Sequence, residues 1–490
     1  MKIFKTLPLI ALLASHIVAA QTALTFTGFI QRLNAAAPET RSAMVDSFMT
    51  VQSSKGFPVT DDSSASFVYR GSVASSIVVT GDQTLWSTSG QVLTNVQPTD
   101  LYYQTRKFES DARIDYKLIK DGVWILDPLN QHSVSGGLGP NSELAMPAYV
   151  QPTEIIANPA IPHGTVSSFL LSSAYTGNTR TIQVYLPPGY NSTSTLYPSL
   201  YIHDGPDYIN LGSMANILDN LIEAKKIQPL ICVYVPPGSD RAGEYRTSKI
   251  TQFTNLMIKE LVPRIDSAYR TDARAEKRGT MGSSDGGHIA LYMAVNYSDT
   301  FVLVGGQSST ITDLFRTPIQ SGPKVPVKFY LDVGTYDIVN SSFVFLTLNR
   351  DFRDLLISKG YDVTYAEYHE GHSWGNWRAH IDDILKTLYP AIPTQVKVDD
   401  VVPVSFRVLP AFPNPFNPTT TIQYELHRAG SVSIRVLNIL GAEVQRLSDE
   451  YQPAGLHEVR WDASKLSSGT YFLTIETAGS KVTQRIALVK

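Results

Sequence analysis

Met281-Gly282-Ser283-Ser284-Asp285-Gly286-Gly287 reads as Gly-x-Ser-x-Gly with Ser284 at its centre. A serine nucleophile works from a sharp turn between a strand and a helix. Small residues beside it permit that turn and let a substrate carbonyl come close. The flanks predict such a turn. Lys277 to Met281 has the length of a short buried strand, and Gly287 to Tyr297 predicts a helix, with Ile289, Met293 and Tyr297 at four-residue spacing. A plain glycine-rich loop carries the same letters, so the surrounding chain has to decide.

Outward from this motif, strands and helices alternate from about Ser167. Strands are expected at 182–186, 199–203, 230–235, 278–281, 302–306, 327–333 and 363–368. Helices are expected at 213–225, 251–269, 287–297, 343–358 and 376–389. The alternation predicts an α/β domain over residues 166–392, a mostly parallel sheet with helices on both faces. A serine hydroxyl needs a base, and the base needs an orienting acid. On such a sheet these follow the serine in the order acid, then histidine, from loops after later strands. Asp337 stands just past the strand that runs through Lys328-Phe329-Tyr330-Leu331-Asp332-Val333. Asp332 is its rival but lies within the strand. His372 follows Gly371 beyond the next strand, whereas His369 still continues that strand.

An oxyanion hole needs two amide donors. One is expected to be the N–H of Asp285, directly after the nucleophile. The other is expected from the loop after His203, where Pro206 has no N–H to give, which leaves Gly205 or Asp207 and favours Gly205. His203 is expected to support that loop and His288 to pack. No cluster of His, Cys, Asp and Glu has metal-site spacing, and no phosphate-binding glycine loop precedes a lysine, so neither metal nor cofactor is expected.

Residues 165–390 resemble the enterochelin esterase and feruloyl esterase group of α/β-hydrolases. The resemblance is carried by His203-Asp204-Gly205-Pro206-Asp207, Asp240-Arg241-Ala242-Gly243-Glu244-Tyr245, the Ser284 motif with Gly287, Val333-Gly334-Thr335-Tyr336-Asp337, and Gly371-His372-Ser373-Trp374 with Trp377-Arg378. It implies Ser284, Asp337 and His372 as nucleophile, acid and base. It also implies that Arg241, with Glu244, holds substrate or shapes the pocket; a surface ion pair is the alternative. Trp374, Trp377 and Tyr336 are expected either to flank an aromatic acyl group or to pack around the His372 loop.

The rest of the 490 residues frames this domain. Lys2 and Lys5, the apolar run from Leu7 to Leu13, and Val18-Ala19-Ala20 read as a secretory signal peptide over 1–20. Residues 21–54 predict a helical hairpin split at Pro38, with Thr40 as a cap. From 55 to 130 the period switches to two. The stretches Phe67-Val68-Tyr69-Arg70-Gly71, Val79-Thr80-Gly81-Asp82, Asp115-Tyr116-Lys117-Leu118 and Asp127-Pro128-Leu129-Asn130 resemble the immunoglobulin-like module related to glycogen-binding carbohydrate modules. Trp86, Trp124, Tyr102 and Tyr103 are expected there either to stack on sugars or to pack. Residues 131–165 read as a surface linker and 393–410 as a proline-rich one.

Residues 411–490 predict a second small β-sandwich. Pro413-Asn414-Pro415-Phe416-Asn417-Pro418, Asn438-Ile439-Leu440-Gly441, Trp461-Asp462, Ser468-Gly469-Thr470-Tyr471 and Leu488-Val489-Lys490 resemble the C-terminal sorting domain of type IX-secreted bacterial proteins. The expected fold is therefore an α/β-hydrolase domain flanked by two small all-β sandwiches, and the expected location is outside the cell, with the type IX secretion machinery as a partner. A single cysteine, Cys232 in an apolar run, allows no intrachain disulfide. A net charge of −3 gives no reason to expect nucleic acid, and no apolar run is long enough to span a membrane as a helix.

The functional expectation is a secreted serine esterase that cleaves carboxylic esters through an acyl-enzyme. Export favours a large external substrate, such as feruloyl or acetyl esters of plant polysaccharide. The alternatives are a siderophore esterase, a catalytically inactive carbohydrate-binding protein, and acyl transfer to an acceptor other than water.

Overall fold

The structure, a computed structural model, describes residues 25–391 except 138 and 342, and residues 406–490 except 410, 478 and 479. The signal peptide and most of the expected proline-rich linker lie outside the described residues. The chain divides into two compact units, with the boundary between residues 392 and 393.

In the first unit, Val233 and its neighbours show why the central sheet forms. The run Ile231–Val235 is buried throughout, and its side chains alternate between two apolar layers. Cys232 and Tyr234 join Leu218, Leu221 and Ile384 on one face, while Ile231, Val233 and Val235 join Phe253, Met257 and Met293 on the other. Numbered within this domain, the strands are β1 (Thr165–Ser172), β2 (Thr179–Leu186), β3 (Ser199–His203), β4 (Ile231–Val235), β5 (Arg278–Ser283), β6 (Leu303–Gln307), β7 (Lys328–Tyr336) and β8 (Asp362–Gly371). Their order is β1-β2-β4-β3-β5-β6-β7-β8. From β4 to β8 all pairs are parallel; β1 and β2 form an antiparallel edge. This is the α/β-hydrolase sheet, and Ser284 stands at the C-terminal end of its central strand β5.

Several elements escape the periodicity. β1 is mostly exposed and lacks a clean apolar face. The helices Gly205–Asn210 and Arg241–Arg246 are single turns or little more, too short to show a period. Asp313–Ser321 carries Pro318 inside it, which argues against a helix on sequence alone.

The N-terminal β-sandwich has two antiparallel sheets. One pairs Ser64–Arg70 with Leu101–Lys107; the other is centred on Arg113–Lys120, flanked by Ile77–Gly81 and Asn141–Ala145. The expected linker 131–165 is thus corrected. Ser133–Val134 and Asn141–Ala145 belong to this sandwich, with Leu144 in its core beside Phe67, Tyr116 and Leu118. The glycines and serines around them mask a short alternating strand. Helices Phe26–Ala35 and Pro38–Ser53 pack on the outer face, where Phe29, Leu33 and Val45 meet Val68 and Leu101. Pro38 opens the second helix in its first turn, where a missing N–H costs nothing, so Thr40 lies inside that helix and is not its cap.

The second unit is a β-sandwich around Trp461, Tyr424, Phe416, Ile434 and Leu473. Its strand Glu443–Gln452 lies at a sheet edge and sets Val444 and Leu447 against the core, a spacing of three that hides it from a pattern of alternating apolar residues.

Candidate active site

Ser284 has φ 56° and ψ −122°, in the left-handed half of backbone space that L-residues avoid. Three hydrogen bonds hold it there. Its N–H donates to Gln307 O (2.9 Å), and its carbonyl accepts from His288 N–H (3.0 Å) and Thr310 N–H (3.1 Å). The turn lifts the side chain off the end of β5 before helix Asp285–Asn296 begins. Among the described residues Ser284 Oγ has no hydrogen-bond partner.

Asp337 directly follows β7 and His372 directly follows β8. His372 Nδ1 lies 2.7 Å from Asp337 Oδ1, which also accepts from Ile338 N–H at 2.6 Å. A carboxylate only accepts, so the proton sits on Nδ1, and Nε2 keeps its lone pair. Phe345 and Trp377 pack edge-on against the imidazole at 5.0 and 4.9 Å. The rivals are spent elsewhere. His369 turns its Nδ1 to Asp111 of the sandwich (2.6 Å). Asp332 is buried beneath the site beside Gln307; burial raises its carboxyl to about 7, with nearby His380 opposing.

Asp285 and Gly205 are each the first residue of a helix, so their N–H groups have no intrahelical acceptor. Asp207 N–H is taken by Asp204 O at 2.9 Å, which leaves Gly205 of the two donors open in the sequence. A Cβ on Gly205 would stand 2.5 Å from the Tyr234 backbone, so only glycine lets this turn sit against β4. The Asp285 side chain is held aside by Arg246 (3.0 Å) and the Thr310 hydroxyl (2.8 Å), partners that no motif or spacing in the chain singles out.

Arg241 grips Asp204 with two hydrogen bonds of 2.7 Å each and lines the same cavity as Ser284, so it shapes this pocket. Glu244 does not. It is 3% exposed and forms a two-pronged pair with Arg180 (2.5 and 2.9 Å), and it accepts from Gly238 N–H at 2.7 Å. The expectation that Glu244 touches substrate is therefore corrected. A helical turn places residues 241 and 244 on one side, but the short helix rolls the glutamate into the core. His203 and His288 are buried and neutral. Burial, with Arg241 adding to it, lowers His203 to about 3, and burial lowers His288 to about 4. His203 Nε2 meets Thr280 Oγ1, and His288 bridges Tyr245 O and Thr312 Oγ1.

Two cavities meet at Trp374 and Trp377. One, of about 380 Å³, is lined by Ser284, Arg241, Asp204 and Pro206. The other, of about 700 Å³, is lined by His372 and Tyr336 and by Trp86, Trp124 and Lys117 of the sandwich. Tyr102 and Tyr103, by contrast, pack on Tyr69 and Phe26. The sandwich's part in the site had one signal in the sequence. In Arg113–Lys120 the apolar residues Ile114, Tyr116 and Leu118 fill the core, so Arg113, Asp115 and Lys117 share the opposite face. Among the described residues no cluster of metal-ligating side chains exists, and no helix is long and apolar enough to cross a membrane.

The family model described as "Putative esterase" matches residues 173–388. Residues 173–388 are an esterase-family domain. The chain that holds this esterase domain is 31% identical over 183 residues to an endo-1,4-beta-xylanase/feruloyl esterase of Xylanibacter ruminicola; that is 35% of this chain and 25% of the relative's length. It is 25% identical over 236 residues to the uncharacterized protein YjcH of Bacillus subtilis, 46% of this chain and 98% of YjcH. Its fold is similar to that of an enterobactin esterase from Shigella flexneri solved in the presence of enterobactin (TM-score 0.55, 18% identity, 67% of this chain and 94% of the other). A ferric enterobactin esterase from Salmonella typhimurium gives a TM-score of 0.59 at 16% identity, over 70% of this chain and 98% of that one. Both matches cover more of the chain than residues 173–388, so the shared fold reaches beyond the esterase domain. Residues 410–489 match the secretion system C-terminal sorting domain, which directs the chain to type IX secretion and the cell surface.

Proposed function

We propose that this secreted ester hydrolase works through Ser284, His372 and Asp337, and that it releases ferulate or acetate from substituted xylan. The observation that carries the mechanism is the 2.7 Å contact from His372 Nδ1 to Asp337 Oδ1, with Trp377 packed on His372 and lining the cavity of the strained Ser284 turn. His372 Nε2 takes the Ser284 proton as Oγ attacks the ester carbonyl. The Asp285 and Gly205 N–H groups receive the oxyanion. Collapse breaks the C–O bond, and His372 returns the proton to the departing alcohol. Water, deprotonated by the same Nε2, then splits the acyl-enzyme to acid and free Ser284.

The substrate class is supported by the similarity to the endo-1,4-beta-xylanase/feruloyl esterase and by export, which favours a substrate too large to be imported. Ser284→Ala in the full chain should lower ester turnover by ~10⁵-fold with the fold intact, and a phosphonate probe should label Ser284 alone. Full turnover by that variant would sink the mechanism. A kcat/KM for enterobactin well above that for feruloylated or acetylated xylo-oligosaccharides would overturn the substrate class alone.

A further inference from the structure

Ser284 and His372 line different cavities, and the chemistry of ester cleavage says which half of the ester each one faces. The acyl group stays bonded to the serine, whereas the imidazolium must protonate the departing oxygen. The 380 Å³ cavity against Ser284 therefore faces the acyl group. The 700 Å³ cavity against His372 faces the alcohol, and its volume suits a drug-sized group far larger than a simple alkyl alcohol.

The far wall of this alcohol-side cavity belongs to the sandwich. Trp86 and Trp124 lie stacked there, with ring centroids 6.4 Å apart and planes 22° apart. Trp124 is 42% exposed and Leu85 50%, so the wall is apolar and open. Leu85 and Trp86 both have left-handed backbone (φ 53° and 56°), which L-residues avoid. Neither belongs to the apolar core of the sandwich, so packing there does not explain the conformation. Trp86 Nε1 donates to Asp82 Oδ1 at 2.9 Å, which fixes the indole in place. Lys117 projects from the adjoining strand into the same cavity, and among the described residues its ammonium has no partner. Flat indole faces beside a free donor match a sugar ring, whose C–H face stacks on an aromatic surface while its hydroxyls accept hydrogen bonds.

We propose that the cavity shared by the sandwich and the esterase domain is the alcohol-side subsite, and that it holds sugar rings of an oligosaccharide ester on Trp86, Trp124 and Lys117. The subsite rests on the serine-esterase reading above. On this account the sandwich is half of the substrate site and not a remote anchor.

The test uses two esters with one acyl group, feruloyl or acetyl, whichever the wild type cleaves faster: the arabinoxylo-oligosaccharide ester and the methyl ester. Wild type should prefer the oligosaccharide ester in kcat/KM. In Trp124→Ala, and separately in Lys117→Met, that preference ratio should fall about tenfold or more. Unesterified arabinoxylo-oligosaccharide should inhibit methyl-ester cleavage competitively in wild type, and more weakly in Trp124→Ala. No preference in the wild type, an unchanged ratio in both variants, or absence of competitive inhibition would overturn the subsite. A wild type that cleaves neither ester would instead overturn the esterase reading on which it rests.

Discussion

Arg113, on a strand of the N-terminal sandwich, donates from Nη1 to Ser373 Oγ at 3.2 Å, one residue beyond His372. Arg113 is buried and is held by Asp115 (2.6 Å) and Glu143 (2.9 Å). On the other side of His372, a Cβ on Gly371 would overlap the Asp82 carboxylate. The backbone that presents the histidine is thus clasped by Arg113 and Asp82 of another domain. Ser373→Ala keeps the carboxylate partners of Arg113 and should cost no more than about 1 kcal/mol of stability. It should lower kcat severalfold at near-constant KM, measured by steady-state kinetics beside thermal unfolding. An unchanged kcat would show that the clasp is structural only.

Asp337→Asn should preserve the loop while removing the charge that fixes the His372 tautomer. A loss of ~10⁴-fold in kcat is expected at pH 7. His369→Ala, which only releases Asp111, should stay within about threefold of wild type. The reverse ranking in one kinetic comparison would exchange the roles of the two histidines.

Glu244→Gln should behave as a core mutation. Arg180 would remain buried with its charge uncompensated, at a cost of about 3–5 kcal/mol. Denaturant unfolding should register that loss while KM moves little. A raised KM at unaltered stability would return Glu244 to the substrate site.

Stability should fall on the alkaline side of neutrality. Burial opposes the His380 cation, but hydrogen bonds to Asp383 and Glu370 outweigh it and hold the ring at about 9, against an ordinary 6.5. The folded state therefore keeps a proton that the unfolded state releases. The stabilisation is full below about pH 6.5 and is lost as pH rises through 9. Asp332, raised to about 7 by burial, has the same sign from pH 3.8 upward. Unfolding free energy should drop by on the order of 4 kcal/mol between pH 6 and 9.5. A flat or rising profile in chemical denaturation would contradict the ion-pair geometry around His380.

A chain ended at residue 395 should fold and keep its kcat/KM within about twofold, because the second compact unit begins at residue 393. The shortened chain should no longer be secreted by the type IX route. Soluble but inactive protein would show that the sorting domain contributes to catalysis.

The sequence alone determined the parts of this protein that depend on local periodicity and spacing. Alternating strands and helices specify an α/β sheet because buried parallel strands and amphipathic helices leave different repeats. The Gly-x-Ser-x-Gly letters locate a turn because few other residues tolerate it, and the sorting domain carries five motifs in order. Tertiary structure decided what lies across from each residue. His372 rather than His369 turns to Asp337 because the ring of His369 is drawn off to Asp111, 258 residues earlier in the chain. Glu244 enters the core because Arg180 waits there, 64 residues away. Lys117 reaches the His372 cavity because Arg113–Lys120 turns its charged face toward the esterase domain, and Trp86 and Trp124 line the same cavity from other segments of the sandwich. Period-two alternation reveals that such a face exists, but the surface it meets depends on how two domains pack, and no local repeat records that.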